Sequence, residues 1–312
     1  MDKHSKIYVA GHKGMVGSAV VRILIKEGYQ NIIFKDKQEV NLTDDEAVND
    51  FFQTEKPQYV ILAAARVGGI QANVNKPGEF LYENLVIQNN VIHSAHLSNV
   101  EKLVFLGSSC IYPKECPQPM KEEYLLTGKL EPTNEGYALA KICGLKLIEY
   151  YNKQYKFNGI SLMPCNLYGT NDSFHPEHSH VLSSMVRKFC DAKEKGVDSV
   201  ELWGTGIAKR EFMHVDDAAK AILFLMINYH EPEFINIGWG KDISIKELAK
   251  LIASEVGFEG QIKWDHSKPD GMLRKCMDVS RMYSAGFFPQ ITLSEGVRST
   301  IREFNNIKNN SI

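Results

Sequence analysis

No two cysteines are spaced as CxxC, and Cys110, Cys116, Cys143, Cys165, Cys190 and Cys276 are thinly spread over 312 residues. Neither a zinc site nor a disulfide framework is therefore expected. Long apolar runs are also missing: the longest, such as 221–227, fall far short of the ~18 residues that span a bilayer. Only four apolar residues, 7–10, precede the first glycine turn, too few for the core of a secretory signal, so a cytoplasmic protein is expected. Surplus charge is absent too. With 36 Lys and Arg against 38 Asp and Glu, the net charge is −2, which offers no footprint for nucleic acid or an anionic membrane. The 23 glycines and 11 prolines are too few for a collagen-like or low-complexity chain, while 44% hydrophobic residues suffice for a sizeable core. At ~150 residues per domain, the length suggests about two units, and one large α/β domain with a lobe fits equally well.

Strand and helix signals alternate through the first half. Short β-rich runs at 6–10, 32–34, 59–63, 103–107 and 160–163 are separated by helical spacing at 15–28, 43–54, 80–99 and 135–155. Thr43 and Glu46 have capping-box spacing, and Pro57 stops that helix. Repeated βα units predict a Rossmann-type, doubly wound parallel sheet with helices on both faces. After Pro164 the rhythm breaks. Residues 166–180 read as a long ordered loop, followed by a helix at 181–193, a strand at 200–203, a helix after Val215, a strand at 234–237 and a helix opened by Ser244 and Glu247. The expected division is a dinucleotide-binding domain at 1–165 with a returning segment at about 213–237. Residues 166–212 and 238–312 then form a smaller C-terminal substrate-binding lobe.

Gly11, Gly14 and Gly17 make a GxxGxxG turn between the first strand and the first helix. That placement suits a pyrophosphate, because glycine permits close backbone approach and a helix N-terminus favours negative charge. The end of the second strand reads Lys35-Asp36-Lys37. Asp36 suits a ribose 2′-OH and hence NAD, whereas Lys13, Lys35 and Lys37 suit the 2′-phosphate of NADP, so both stay open. Tyr137 and Lys141 lie four apart on one helix face, where an ammonium lowers the phenol toward use as a proton donor. Ser108 follows the fourth strand, where a doubly wound sheet places its ligands.

GxxGxxG, a serine after strand four and YxxxK together resemble the extended short-chain dehydrogenase/reductase family. The phrase 210–217, REFMHVDD, resembles the substrate-domain signature of its nucleotide-sugar branch. Within that branch AGHKGMVGSA, LGSSCIYPK, NLYGTNDSFHPEHSH and SKPDG resemble the enzymes that act on GDP-4-keto-6-deoxy sugars, over nearly the whole chain. The resemblance implies that Ser108 orients the substrate oxygen, Tyr137 is the general acid, and Lys141 lowers its pKa and holds the nicotinamide ribose. It implies that Cys110 is the base and His180 the acid of a 3,5-epimerisation. A C4 ketone acidifies C3–H and C5–H, and a thiol and an imidazole both titrate near neutrality. For the cofactor, expected to be NADP, it implies Gly11, Lys13, Gly14, Met15, Val16 and Gly17 at the turn. Lys37, Asn41 and Leu42 would serve the adenosine end, and Lys141, Asn166 and Leu167 the nicotinamide end. Arg210 and Lys275 are implied at the diphosphate of a GDP-sugar, with Lys188 and Trp203 in the same pocket. A homodimer through helices near 85–99 and 136–155 is also implied.

His175, His178 and His180 have no nearby cysteine or carboxylate to complete a tetrahedral set, so no metal is expected. Dehydratases of the branch carry an Asp-Glu pair beside the triad serine, where this chain has Ser109-Cys110. It also departs from its branch at Gly136, Arg66, Ser183, which replaces a proline, and Met272-Leu273, which replaces a Thr-Pro pair. Several of these border the sugar and leave a second expectation: C4 reduction, with or without epimerisation, of a related GDP-4-keto-6-deoxy sugar such as a heptose.

Overall fold

The structure is a computed structural model, and it describes residues 1–176, 179–268 and 270–309. Buried β1 (Ile7–Ala10) runs into the glycine turn, and α1 (Met15–Lys26) leaves it with Ala19, Val20, Ile23 and Leu24 turned inward. Next come β2 (Ile32–Ile33), α2 (Asp45–Glu55) and β3 (Tyr59–Leu62). The expected Thr43/Glu46 box is not the cap of α2. Thr43 Oγ1 donates to Asn41 Oδ1 at 2.9 Å, and Asp44 caps instead, accepting from Ala47 N at 3.1 Å. With the Thr43 hydroxyl engaged, Asp44 is the next acceptor, and its charge also suits the helix N-terminus.

A short α3 (Ile70–Asn75) precedes α4 (Pro77–Leu97), which starts three residues before the periodicity predicts because Pro77 occupies a first-turn position. Then follow β4 (Lys102–Leu106), α5 (Glu135–Tyr155) and β5 (Gly159–Pro164). Two glycines let α4 and α5 meet. A Cβ on Gly136 would stand 2.7 Å from Pro77 O, and one on Gly144 would stand 2.8 Å from Gln88 Oε1 of α4. Gly136, which departs from the branch pattern, is thus what lets the turn carrying Tyr137 seat against the start of α4.

The segment 166–180 is not loop throughout: β6 (Asn166–Tyr168) opens it, and α6 (Val181–Glu194) follows. A three-residue strand that exists only through its partner leaves no periodicity to read. That partner is β8 (Lys209–His214), which comes after β7 (Ser199–Trp203). The chain continues through α7 (Val215–Asn228), β9 (Ile235–Ile237), β10 (Asp242–Ser244) and α8 (Ile245–Val256). Ser244 and Glu247 form their capping box, with Ser244 Oγ accepting from Glu247 N at 3.1 Å. Last come β11 (Gln261–Asp265), β12 (Arg274–Lys275), α9 (Ser280–Ser284) and α10 (Leu293–Asn309).

The main sheet is parallel, in the order β2-β1-β3-β4-β5-β9. The chain runs outward from β1 to β2 and then returns to β3 on the other side. This makes β1/β3 the switch point, outside whose carboxyl ends a ligand crevice forms. A smaller sheet, β10-β8-β12 with β6 also on β8, and the pair β11-β7 build the second body. Ile7, Leu24, Phe52, Ile61, Leu103 and Phe105 are fully buried around the main sheet, each worth roughly 1.5–3 kcal/mol on burial. A second core holds Leu182, Val186, Phe189, Leu248, Ile252 and Val297. Met277, Val279, Met282 and Phe287 pack in the first core, so the core boundary does not follow a lobe drawn as 238–312. Among the described residues no helix is long and apolar enough to cross a membrane.

Candidate active site

Each glycine of the turn has its own reason. Gly11 has φ +87°, and a Cβ there would lie 2.7 Å from the Ala64 backbone; one on Gly17 would lie 2.1 Å from Gly11 O. Gly14 differs. Its Cβ would meet nothing closer than Gly11 O at 3.5 Å, so packing within the protein does not require glycine there. Close approach of a pyrophosphate is the expected reason for it. Gly14 also caps α1 without a side chain, and no acidic residue occupies the first turn, which leaves first-turn N–H groups for a pyrophosphate. Gly14→Ala is therefore expected to keep its melting temperature within a few degrees while NADPH affinity falls about tenfold or more, and Gly17→Ala to lose about 1–3 kcal/mol of stability. Calorimetric NADPH titration of both variants checks this. Unchanged binding by Gly14→Ala would place the phosphates elsewhere.

At the adenosine end, Lys13 Nζ donates to Asp36 Oδ2 at 3.0 Å, while Asp36 Oδ1 accepts from Gln38 N at 3.0 Å. These bonds hold the carboxyl below its usual range, the Lys13 bond first. Asp36 is thus engaged in its own turn, and Lys37 stands exposed beside it. Asn41 is spent on Thr43, and Leu42 O accepts from Asn90 Nδ2 at 3.1 Å. At the other end, Asn166 Nδ2 donates to Glu211 O at 2.8 Å and Leu167 is buried.

Ser108, Cys110, Tyr137 and Lys141 come together beyond the carboxyl end of β4. Ser108 Oγ accepts from Cys110 N at 3.3 Å, and Lys141 Nζ donates to Leu106 O at 2.8 Å, 5.7 Å from the Tyr137 ring centre. That bond ties α5 to the last residue of β4 and fixes the ammonium beneath the tyrosine. Burial pulls Lys141 down to about 8. The sequence leads one to expect a lowered phenol. Burial dominates instead and pushes Tyr137 up, with Cys110 adding to it. Burial likewise raises the Cys110 thiol, opposed by Lys275, the Ser108 hydrogen bond and Lys141.

Lys275 reaches this cluster through the small sheet. In β12 it lies opposite Arg210 of parallel β8, so both side chains leave the same sheet face. Glu211 holds these strands: one carboxylate oxygen accepts from Gly240 N at 2.6 Å and the other from Met277 N at 2.7 Å. Burial raises Glu211 to about 7 despite those bonds. Arg210 donates to Met272 O at 2.5 Å and to Asp270 O at 3.3 Å, which shapes the segment before β12. Lys188 Nζ donates to Glu201 O at 2.9 Å. Trp203 is 67% exposed, with Lys268 Nζ 5.6 Å from its ring.

His180 stands apart. It precedes α6 as the N-cap residue, exposed, and none of its hydrogen bonds among the described residues reaches Cys110. His178 lies outside the described residues. The stretch leading to His180 is anchored over the glycine turn, where Asn171 Nδ2 donates to Lys13 O at 2.9 Å and to Ser18 Oγ at 3.2 Å. Sequence reasoning passed over Asp172, which is buried and accepts from the Ser183 hydroxyl. Ser183 was visible only as a departure from a proline, with nothing to pair it to Asp172.

A family profile described as NAD dependent epimerase/dehydratase family matches residues 7–238. GDP-L-fucose synthase 1 of Arabidopsis thaliana is 54% identical over 299 residues, covering 96% of this chain and 93% of that protein. GDP-L-fucose synthase of Escherichia coli K12 is 48% identical over 308 residues, covering 96% of each. Among solved structures, a GDP-mannoheptose C4 reductase from Campylobacter jejuni with NADP bound superposes with a TM-score of 0.90 at 39% identity, covering 98% of this chain and 99% of that one.

Proposed function

The chain belongs to the NAD-dependent epimerase/dehydratase family, and from that footing we propose that it converts GDP-4-keto-6-deoxy-mannose to GDP-L-fucose as an NADPH-dependent 3,5-epimerase and 4-reductase. The observation that carries this reading is Cys110 with its N–H on the oxygen of Ser108, in one cluster with Tyr137 and Lys141. A plain reductase has no use for a thiol there. The glycine turn, with Gly14 open toward a ligand, fits a dinucleotide. Asp36 is tied to Lys13 rather than free for a ribose hydroxyl, which favours NADP. NADPH, when bound, supplies the hydride for C4.

The protein's own residues supply the proton chemistry. Ser108 donates to the C4 carbonyl oxygen and polarises it, which acidifies C3–H and C5–H. Cys110, as thiolate beside the Lys275 ammonium, takes the proton from one carbon while His180 gives one to its opposite face; exchange with water then returns Cys110 to thiolate and reprotonates His180 before the second carbon is inverted. Tyr137 gives its proton to the C4 oxygen as the carbonyl becomes an alcohol, while Lys141 stabilises the phenolate left behind. Arg210 and Lys275 neutralise the diphosphate, with Lys188 and Trp203 beside it. The main sheet thus carries the cofactor and the smaller lobe the GDP-sugar.

A second copy on the α4/α5 face is part of the proposal, because Tyr82, Leu97, Leu139, Tyr150 and Tyr155 are exposed on these two helices. A second substrate reading, C4 reduction of a GDP-4-keto heptose, is favoured by the likeness to the Campylobacter reductase. Incubation with each GDP-4-keto sugar and NADPH, followed by NMR of the product, decides between them. GDP-L-fucose is the expected product. A sugar reduced at C4 but unaltered at C3 and C5 would favour the second reading, and no NADPH oxidation with either sugar would refute both.

A further inference from the structure

Arg66 bridges two carboxylates on one helix face. Glu79 and Glu83 lie four apart near the start of α4, a spacing at which like charges repel. Arg66 answers both, with Nη2 at 2.6 Å from Glu79 Oε2 and Nη1 donating to Glu83 Oε1. A planar guanidinium can serve two carboxylates at once, whereas an ammonium is a single point charge. The backbone of Arg66 is fixed to the same helix. Its N–H donates to Asn84 Oδ1 at 3.0 Å and its carbonyl accepts from Asn84 Nδ2 at 3.0 Å, while that amide also donates to Phe80 O at 2.7 Å. Asn84 is buried, so these bonds are sheltered from water.

Phe80 carries this clamp onward to the reaction centre. The Arg66 guanidinium stands 5.2 Å from the centre of the Phe80 ring, and that ring meets the Tyr137 ring edge to face, with centres 6.5 Å apart. Gly68 lies against it, since a Cβ there would stand 3.0 Å from Phe80 Cζ. Phe80 is itself buried, so packing holds its ring in place. Two groups thus meet the Tyr137 ring: the Phe80 ring and the Lys141 ammonium, 5.7 Å from its centre. Gly136, next to Tyr137, seats on Pro77 in the same first turn of α4. Arg66 and Gly136, two of the positions where the chain departs from its branch, therefore act on one seat.

We propose that Arg66, acting through Phe80, is a positioning residue for the Tyr137 phenol. It rests on the reading of Tyr137 as the acid of C4 reduction. Among the described residues no hydrogen bond joins Arg66 to Tyr137, so its influence runs through the intervening ring. A phenol that must reach the C4 oxygen as the hydride arrives tolerates little drift, because a misplacement of about 1 Å can cost on the order of 10²-fold in rate. The paired carboxylates fix the guanidinium, the guanidinium and Gly68 fix Phe80, and Phe80 limits the tilt of the tyrosine.

Two readouts test it, in the full-length protein. The first is steady-state C4 reduction. Arg66→Met is expected to lower kcat about tenfold while KM for NADPH and for the sugar stays within about twofold. Arg66→Lys should recover part of the loss, since it keeps the charge but serves one carboxylate. In a Tyr137→Phe background Arg66→Met should cost nothing further, because its effect passes through the phenol. The second readout needs no turnover. The NMR resonance of the Tyr137 ring, in protein carrying labelled tyrosine and assigned by its absence in Tyr137→Phe, should shift or broaden in Arg66→Met. A folded Arg66→Met protein with the parent kcat, a loss confined to NADPH affinity, the same loss repeated in Tyr137→Phe, or an unmoved Tyr137 resonance overturns the proposal. A parent protein that reduces neither candidate sugar would instead refute the reading of the reaction, and the resonance still decides the clamp.

Discussion

Tyr137→Phe is expected to lower kcat for C4 reduction by about 10²–10⁴, the range typical of losing a positioned general acid, while leaving NADPH binding and the fold intact. The phenol sits above a buried ammonium whose own place is fixed by the Leu106 carbonyl, so the ring can go without disturbing the backbone. The reason for its power lies in Lys141. Burial holds this side chain at about 8, and once it is neutral no cation remains to stabilise the phenolate. Its proton is lost as pH rises, so kcat/KM in the parent protein should fall above pH about 8. In Lys141→Met that limb disappears along with most of the activity. Stability should respond differently. A lysine pulled from 10.5 to about 8 costs the fold roughly 3 kcal/mol below that pH, a cost relieved as pH rises from the folded value toward the unfolded one. Lys141→Met removes that cost but orphans the Leu106 carbonyl, worth about 1–3 kcal/mol. The melting temperature should therefore change little while turnover collapses. A Tyr137→Phe protein that reduces its substrate at the parent rate would assign the proton to another group.

Cys110→Ser separates the two activities. Deuterium incorporation at C3 and C5 is expected to fall about 10³-fold or more, because a serine hydroxyl is no base near neutrality, while reduction of an already epimerised substrate persists. The substitution is nearly isosteric in a buried place, and the backbone N–H that meets Ser108 Oγ is unchanged. The thiol is raised by burial and brought down by Lys275, Ser108 and Lys141. The thiolate should therefore weaken in Lys275→Met, which alkylation rate against pH would register. Retained exchange in Cys110→Ser would sink the base assignment, and loss of both activities in a folded protein would argue against separate roles.

The βα rhythm of residues 6–163 could be read because each strand is an apolar run between helices whose buried faces repeat at helical spacing. Tyr137 and Lys141 were legible for the same reason, since one helix carries both. What escaped depends on contacts between distant segments. The strands β6, β10 and β12 are two or three residues long and exist only because β8 pairs with all three. Lys275 faces the Cys110 cluster through that pairing, which no local pattern encodes. The capping error at Thr43 is local: two adjacent residues were both able to cap, and a hydrogen bond to Asn41 chose between them. Asp172 and Ser183 meet only when the first turn of α6 has formed, so neither announces the other along the chain.

Asn171 adds a coupling between the two halves of the chemistry. Its side chain grips the backbone of Lys13 and the hydroxyl of Ser18, while its neighbour Asp172 holds the head of α6. Ordering of the glycine turn by a dinucleotide is therefore expected to order the approach to His180 as well. Thermodynamic reciprocity then requires that whatever dinucleotide binding does for the GDP-sugar, the sugar does for the dinucleotide by the same factor. Cutting the grip with Asn171→Ala is expected to make the two ligands more nearly independent, which paired titrations of each in the presence of the other would register.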